Sequence, residues 1–367
     1  PGDYVRTWQD DDPAWNYKDS DGWANHNEGQ ILKIKNIIGS RLYVDQEIRA
    51  AYYSKFNPES QKLSLSENIG LDNLIIERAD KTTPIDGITI NFNLVSNSWI
   101  RGCELINCFR AHIVLQECTK IEITSNYIHD AYEFGGNGRA YGTLLQSRTG
   151  DCLIQNNIFS TLRHAMVFQA GANGNVLGYN YSRNAKRTEF PSDFASDITF
   201  HGNRPYANLA EGNIVCAIQI DNSHGQGAGL YNTIFRNAAT TCGLMVMSTS
   251  PKSDNQNIVG NDVLWTSFIG NYSITGSNHF IYGNRYQKSS SYTLSPVNTS
   301  KLSDYSYYLN KSPLTPIKPA WWTLSTSIPT IGIPTTWKSF TNPAKARWDS
   351  NGVKTVGTTE PLLLLKK

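Results

Sequence analysis

Seven asparagines set the strongest constraint on how this chain can fold. Asn126, Asn157, Asn180, Asn213, Asn237, Asn261 and Asn284 each follow a short apolar segment, as in "IEITSN", "CLIQNN" and "NVLGYN", and their separations are 31, 23, 33, 24, 24 and 23 residues. A base period of 23 to 24 residues, stretched by two insertions, describes one supersecondary unit repeated and stacked. A second series keeps step with the first: "GITIN" (87–91), "HIVLQ" (112–116), "GTLLQ" (142–146), "AMVFQ" (165–169), "DITFH" (197–201), "AIQID" (217–221) and "GLMVM" (243–247). These segments carry the period-2 alternation of strands.

Two or three short strands per repeat, joined by tight turns with a recurrent Asn, predict an all-β chain folded as a right-handed parallel β-helix. Leucine-rich repeats share the period, but their Leu lattice is absent. In such a solenoid the same turn position stacks on itself every rung, so the asparagines can form a hydrogen-bonded ladder. The inward positions expected are Ile88, Ile113, Met166, Ile198, Ile218 and Leu244, followed by Ile90, Leu115, Leu145, Phe168, Phe200, Ile220 and Val246. Residues 1–70 are read as an N-terminal cap with first rungs, including "ILKIKNIIGSRLYVDQEI" (31–48), because an open solenoid end exposes core and strand edges. Residues 71–286 form the coil. Residues 287–367, rich in Ser, Thr and Pro, are read as an irregular tail lying along it, pinned by Trp321, Trp322 and Trp337.

Charged residues make up 17% of the chain and nearly cancel, with a formal net charge of +2, so no basic field points to nucleic acid. No apolar run reaches the 18 or so residues a membrane span needs. Six cysteines without CxxC spacing read as small buried residues rather than a metal or disulfide framework. The residues "PGDYVRTW" at the start are no signal peptide, yet a mature secreted chain has the same look, and we expect a secreted, extracellular or periplasmic protein. Abundant Asn, Ser, Thr and Gly with 19 Tyr, 13 Phe and 9 Trp suit surfaces that hydrogen-bond and stack on sugars.

A stacked coil turns equal repeat positions into a column, with neighbours about 4.8 Å apart. The outward residue closing each strand of the second series runs Asn91, Gln116, Gln146, Gln169, His201, Asp221, Met247. His201 and Asp221 are adjacent in it, with Asp197 at the opposite end of the 197–201 strand and His224 in "DNSHGQG" just beyond. Arg163 and His164 precede the strand one rung earlier, and Arg148 follows the "GTLLQ" strand. Both insertions, "HDAYEFGGNGRAY" (129–141) and "SRNAKRTEFPSDFAS" (182–196), enter on the same side and are expected to wall this region into a cleft. The expected catalytic set is Arg148, Arg163, His164, His201, Asp221 and His224. The expected substrate-binding set is Gln116, Gln146, Gln169, Asp197, Asp193, Arg139, Arg236 and Tyr141.

Over most of residues 70 to 285 the chain resembles the pectate-lyase-like right-handed β-helix superfamily. The stretch "SRTGDCLIQNNIFSTLRHAMVFQAGANGNVLGYNYS" is similar to the part of the alginate lyase and chondroitinase B family that carries "SKS" and then "LRHG". The resemblance implies that Arg163 and His164 match the Arg and His of "LRHG" and that Arg148 stands where that family has its base lysine. It departs in having Arg for Lys and Ala165 for the Gly. It implies a polysaccharide lyase acting on a uronic-acid glycan by β-elimination, with Arg148 as base and Arg163 on the carboxylate.

Two other readings stay open. A glycoside hydrolase needs two carboxyl groups flanking the bond, which Asp197 and Asp221, or Asp193, can supply. A non-catalytic carbohydrate-binding or adhesive protein keeps the column and needs no perturbed titratable groups. The expected partner in each case is an extended polysaccharide. No cofactor or metal is required, Ca2+ is admitted, and the oligomeric state is left open.

Overall fold

The computed structural model describes residues 1–15, 23–79, 87–190, 192, 195–222, 226–247, 253–265, 270–287, 291–299, 302, 306–309, 319–322, 324 and 341–351. Its centre is a right-handed parallel β-helix with three strands per rung. Front strands include Ala111–Gln116, Tyr141–Gln146, His164–Phe168 and Ile198–His201. Back strands include Thr119–Thr124, Leu153–Gln155, Val176–Gly178 and Leu209–Glu211. Flank strands include Tyr127–Ala131, Ile158–Ser160 and Tyr181–Arg183. Like strands pair in parallel from rung to rung.

The core is what the inward alternation demands. Ile113, Leu115, Met166, Phe168, Ile198, Phe200, Ile218, Ile220, Leu244 and Val246 are buried in one contiguous cluster. The first rung differs from the expected alignment by two residues: Ile113 pairs with Ile90 and Gln116 with Asn93, so Asn91 stands beside Val114 rather than Gln116. The slip keeps Ile90 inward and brings Phe92 into the core beside Leu115, while Ile88, expected inward, pairs with Ala111 and is half-buried against the outward cluster of Ala111, Val114 and Tyr141.

At the turn between back and flank strands, the carboxamides of Asn126, Asn157, Asn180, Asn213, Asn237, Asn261 and Asn284 are linked in one chain of Nδ2 to Oδ1 hydrogen bonds of 2.9–3.0 Å. Each Oδ1 after the first also takes the backbone N–H of the Asn before it. A second ladder, Asn175, Asn208, Asn232 and Gln256, runs along the turn entering the back face. All six cysteines are buried and none forms a disulfide.

Residues 29–38 and 41–44 are an antiparallel hairpin in a four-stranded sheet with residues 4–8 and 59–63, not rungs of the coil. This sheet lies along the front-to-back turns. The Gly29 carbonyl accepts from Asn173 Nδ2 at 3.0 Å and from the Tyr206 hydroxyl at 2.8 Å. The first parallel pairings of the coil come from residues 66–77.

On the opposite side, Trp322 meets the Tyr179 ring edge-on at 5.1 Å and Trp321 lies 6.1 Å from it. The helix Pro343–Asn351 starts on Asn342, whose Nδ2 donates to the carbonyls of Asn180 and Gly212 at the ladder turn. Trp337 lies outside the described residues.

Candidate active site

Parallel pairing of the front strands sets His201 directly opposite Asp221 on the next rung. His201 Nδ1 donates to Asp221 Oδ2 at 2.6 Å. A carboxylate on Nδ1 chooses the tautomer and leaves the basic lone pair on Nε2. Both side chains are mostly covered, at 13% and 9% exposed.

One rung earlier, the His164 ring lies 5.8 Å from that of His201 and 5.2 Å from that of Tyr141. Its Nδ1 donates to the Ser196 carbonyl at 2.7 Å, with Thr199 Oγ1 3.2 Å from the same nitrogen. Nε2 is therefore an acceptor, and Arg163 Nη1 donates to it at 3.2 Å. Burial, with the Arg163 guanidinium and His201 beside it, brings the His164 pKa down to about 3, so the ring stays neutral and keeps that acceptor. The Tyr141 hydroxyl is pushed up to about 12 by burial, against the pull of Arg163, and stays protonated.

Arg163, His164, His201 and Asp221 share the wall of a cavity of about 190 Å3 with Arg187, Ala195, Ser196 and Gln219. The two insertions meet beside it: the Thr188 amide donates to the Phe134 carbonyl at 3.3 Å, and Lys186 Nζ sits 4.4 Å from the Phe134 ring centroid. From the second insertion, Glu189 Oε1 reaches Arg163 Nη2 at 3.5 Å. The formal charges here are those of Arg163 and Arg187 against Asp221 and Glu189, with His164 neutral.

Other expected residues lie elsewhere. Arg148 occupies a turn at φ +59° and donates to the carbonyls of Asn25 and His26 at 3.0 Å and to Glu117 Oε1 at 2.6 Å. It ties the N-terminal segment to the coil and is not on the cavity wall. Arg236 is buried on the far side, at φ +52° beside the Phe235 ring. Asp197 is fully buried: Oδ1 accepts from Ser182 Oγ at 2.8 Å and Oδ2 from the Cys216 amide. Burial pushes its carboxyl up to about 6. It holds the corner before the front strand and does not share the open surface with Asp221, which removes the Asp197–Asp221 carboxylate pair.

Arg139 pairs with Glu133 within the first insertion and packs over Phe109. Gln146 and Gln169 stand in the His201 column, but they are buried and bonded to each other at 2.7 Å. Gln116 is half-buried in the same column. Tyr141 lies under His164 as part of a buried outward cluster with Val114, Leu144 and Val167. Asp193 and His224 lie outside the described residues.

Ser196, Gln219 and Arg187 are cavity residues that the repeat reading passed over. Column alignment finds Gln219, which pairs with Thr199 and Met245. Nothing periodic marks Arg187, because insertions carry no repeat. Among the described residues, no three His, Cys, Asp or Glu side chains converge as a metal site, and no helix is long and apolar enough to cross a membrane.

No family model matches the chain, and no curated protein is similar to it. Four solved chains match. One is the tailspike protein gp49 from Pseudomonas phage LKA1, 13% identical, with a TM-score of 0.46 over 77% of this chain and 51% of that one. The chain thus spans about half the length of that tailspike.

Proposed function

We propose that this protein cleaves a uronic-acid polysaccharide by β-elimination in the front groove, outside the cytoplasm, with His201 as the base. The observation that carries the proposal is the His201–Asp221 pair set one rung from Arg163 and His164. Eliminating across C4–C5 of a uronate requires neutralising the C6 carboxylate, removing the C5 proton and protonating the departing O4. Arg163, with Arg187 on the same wall, meets the first need. His201 Nε2 takes the C5 proton, and Asp221 stabilises the imidazolium that forms. The C5–H electron pair becomes the C4=C5 double bond as the C4–O4 bond breaks, and the leaving oxygen takes a proton from the imidazolium or from water.

His164 is a positioning residue: its neutral Nε2 holds the Arg163 guanidinium. The reading keeps Arg163 and His164 of the stretch that resembles the alginate lyase and chondroitinase B family, and moves the base from Arg148 to His201. It also routes no step through Ca2+. Glycoside hydrolysis is less well supported because, among the described residues, Asp221 is the only carboxylate on the cavity wall.

The test is incubation of the full chain with polyuronates, polymannuronate, polygalacturonate and chondroitin among them, and with neutral glycans. Ultraviolet absorbance from new unsaturated ends, lost in His201→Ala, is the expected result. New reducing ends without that absorbance establish hydrolysis instead, and retention without cleavage establishes a binding protein.

A further inference from the structure

A cavity of about 370 Å3 lies on the back face, away from the front groove. Its floor is one column of the coil. Parallel pairing places Leu209, Thr233, Asn257 and Phe280 at equivalent positions on four successive rungs. Rungs about 4.8 Å apart make this floor about 14 Å long, parallel to the coil axis.

The column is apolar at its two ends and polar between them. Leu209 and Phe280 are apolar, while Asn257 Nδ2 donates to Thr233 Oγ1 at 3.1 Å between them. Phe280 is 59% exposed at one end. The wall is Tyr307, from the segment that crosses the back of the coil, and it is 53% exposed. Its backbone amide donates to the buried Glu211 Oε2 at 2.8 Å, and its ring lies 4.5 Å from that of Phe235. Tyr307 is therefore held by its main chain and by a ring neighbour, with half its surface left in water.

Two exposed aromatic rings beside a floor of amide and hydroxyl groups match a pyranose, which has an apolar C–H face and a hydroxyl rim. None of the lining residues carries a full charge at neutral pH. That excludes the phosphate or carboxylate recognition for which the arginines of the front groove are suited. We infer that the back column from Leu209 to Phe280, walled by Tyr307, is a second carbohydrate site that binds an extended neutral glycan along the coil axis. Such a site tethers the protein to a neutral stretch of polymer while the front groove works on charged units. The inference does not depend on the β-elimination reading.

The experiment measures binding of cellohexaose, mannohexaose and xylohexaose to the full chain by calorimetry, with each variant's melting temperature recorded. At least one hexasaccharide binds the parent chain. Phe280→Ala and Tyr307→Ala each weaken that binding by about tenfold or more. Thr233→Arg, which fills the floor from an outward position, abolishes it, and Arg163→Ala leaves it unchanged. The inference is overturned if none of the three probes binds, if the three back-face variants bind as tightly as the parent, or if Arg163→Ala removes the binding. Polyuronate cleavage in the same variants reports separately on the front groove and is expected to be unaltered by Phe280→Ala.

Discussion

His201 Nδ1 lies 2.6 Å from Asp221 Oδ2 because residue 201 pairs with residue 221 on the adjoining rung of the coil. Neither side chain contributes to the interior, which at these rungs is filled by Phe200 and Ile220. Chemistry and stability should therefore separate. His201→Ala is expected to abolish turnover and Asp221→Asn to lower kcat by about 10^2 to 10^4, the range for disturbing a His–carboxylate pair. Melting temperatures should stay within a few degrees of the parent. A large drop in melting temperature with normal kcat for the folded fraction assigns the pair to structure.

Arg163 and Arg236 make a controlled comparison, since both are arginines in the coil and only Arg163 lines the groove. Arg163→Ala should lower kcat/KM on a polyuronate by about 10^2 or more, as expected when a charge stabiliser is removed, with little effect on denaturant midpoint. Arg236→Ala should do the reverse, because its side chain is buried against Phe235 near Glu211. Equal losses of kcat/KM in the two variants contradict the site as drawn.

The ladder should be a principal stabiliser. Asn213 is fully buried, and its carboxamide accepts from Asn180 and donates to Asn237 and to the Leu177 carbonyl. Asn213→Ala strands donors and acceptors on both neighbours, at about 1–3 kcal/mol for each buried group left unmet. The expected total is about 3 kcal/mol or more, read from chemical denaturation. Asn213→Asp should be no better, since it removes both Nδ2 donors.

Glu211 gives stability a pH dependence. Burial raises its carboxyl from the usual 4.5 to about 7, while Tyr179 and the Ser306 and Tyr307 contacts pull the other way, as does Arg236. The folded chain therefore holds a proton there that the unfolded chain has released. This contribution is complete below about pH 4.5 and is lost as pH rises to about 7, with a slope of up to about 1.4 kcal/mol per pH unit. Glu211→Gln should lack that loss. Denaturation of parent and variant at a series of pH values, compared by difference, isolates the effect from His112 and His164, whose pKa values burial lowers to about 4 and about 3. A difference that stays constant between pH 4.5 and 7 rejects this account.

Much of the fold was legible in the chain. The Asn spacing marked the ladder, and alternation marked Phe168 and Phe200, whose rings lie 5.3 Å apart in the core. The adjacency of His201 and Asp221 followed from counting residues per rung. The second ladder went unseen although its members keep the 33, 24 and 24 spacing of the first, because it has only four members and one is Gln256 rather than Asn. Arg148 was misplaced for a different reason. Its position in the repeat is near the front column, but Glu117 and the carbonyls of Asn25 and His26 claim it.

What the sequence determined by itself was the solenoid and the membership of its columns, because stacking at a fixed repeat makes equal positions neighbours whatever lies outside the coil. Only the tertiary structure decided which columns meet solvent. Val114, Leu144 and Val167 point outward yet are buried, Gln146 and Gln169 are bonded to each other, and the cavity is lined instead by His164, His201 and Asp221. That choice belongs to the N-terminal sheet, the two insertions and the segments crossing the back. Their contacts with the coil join residues as far apart as Asn27 and Gln226 and obey no period that a linear reading can follow.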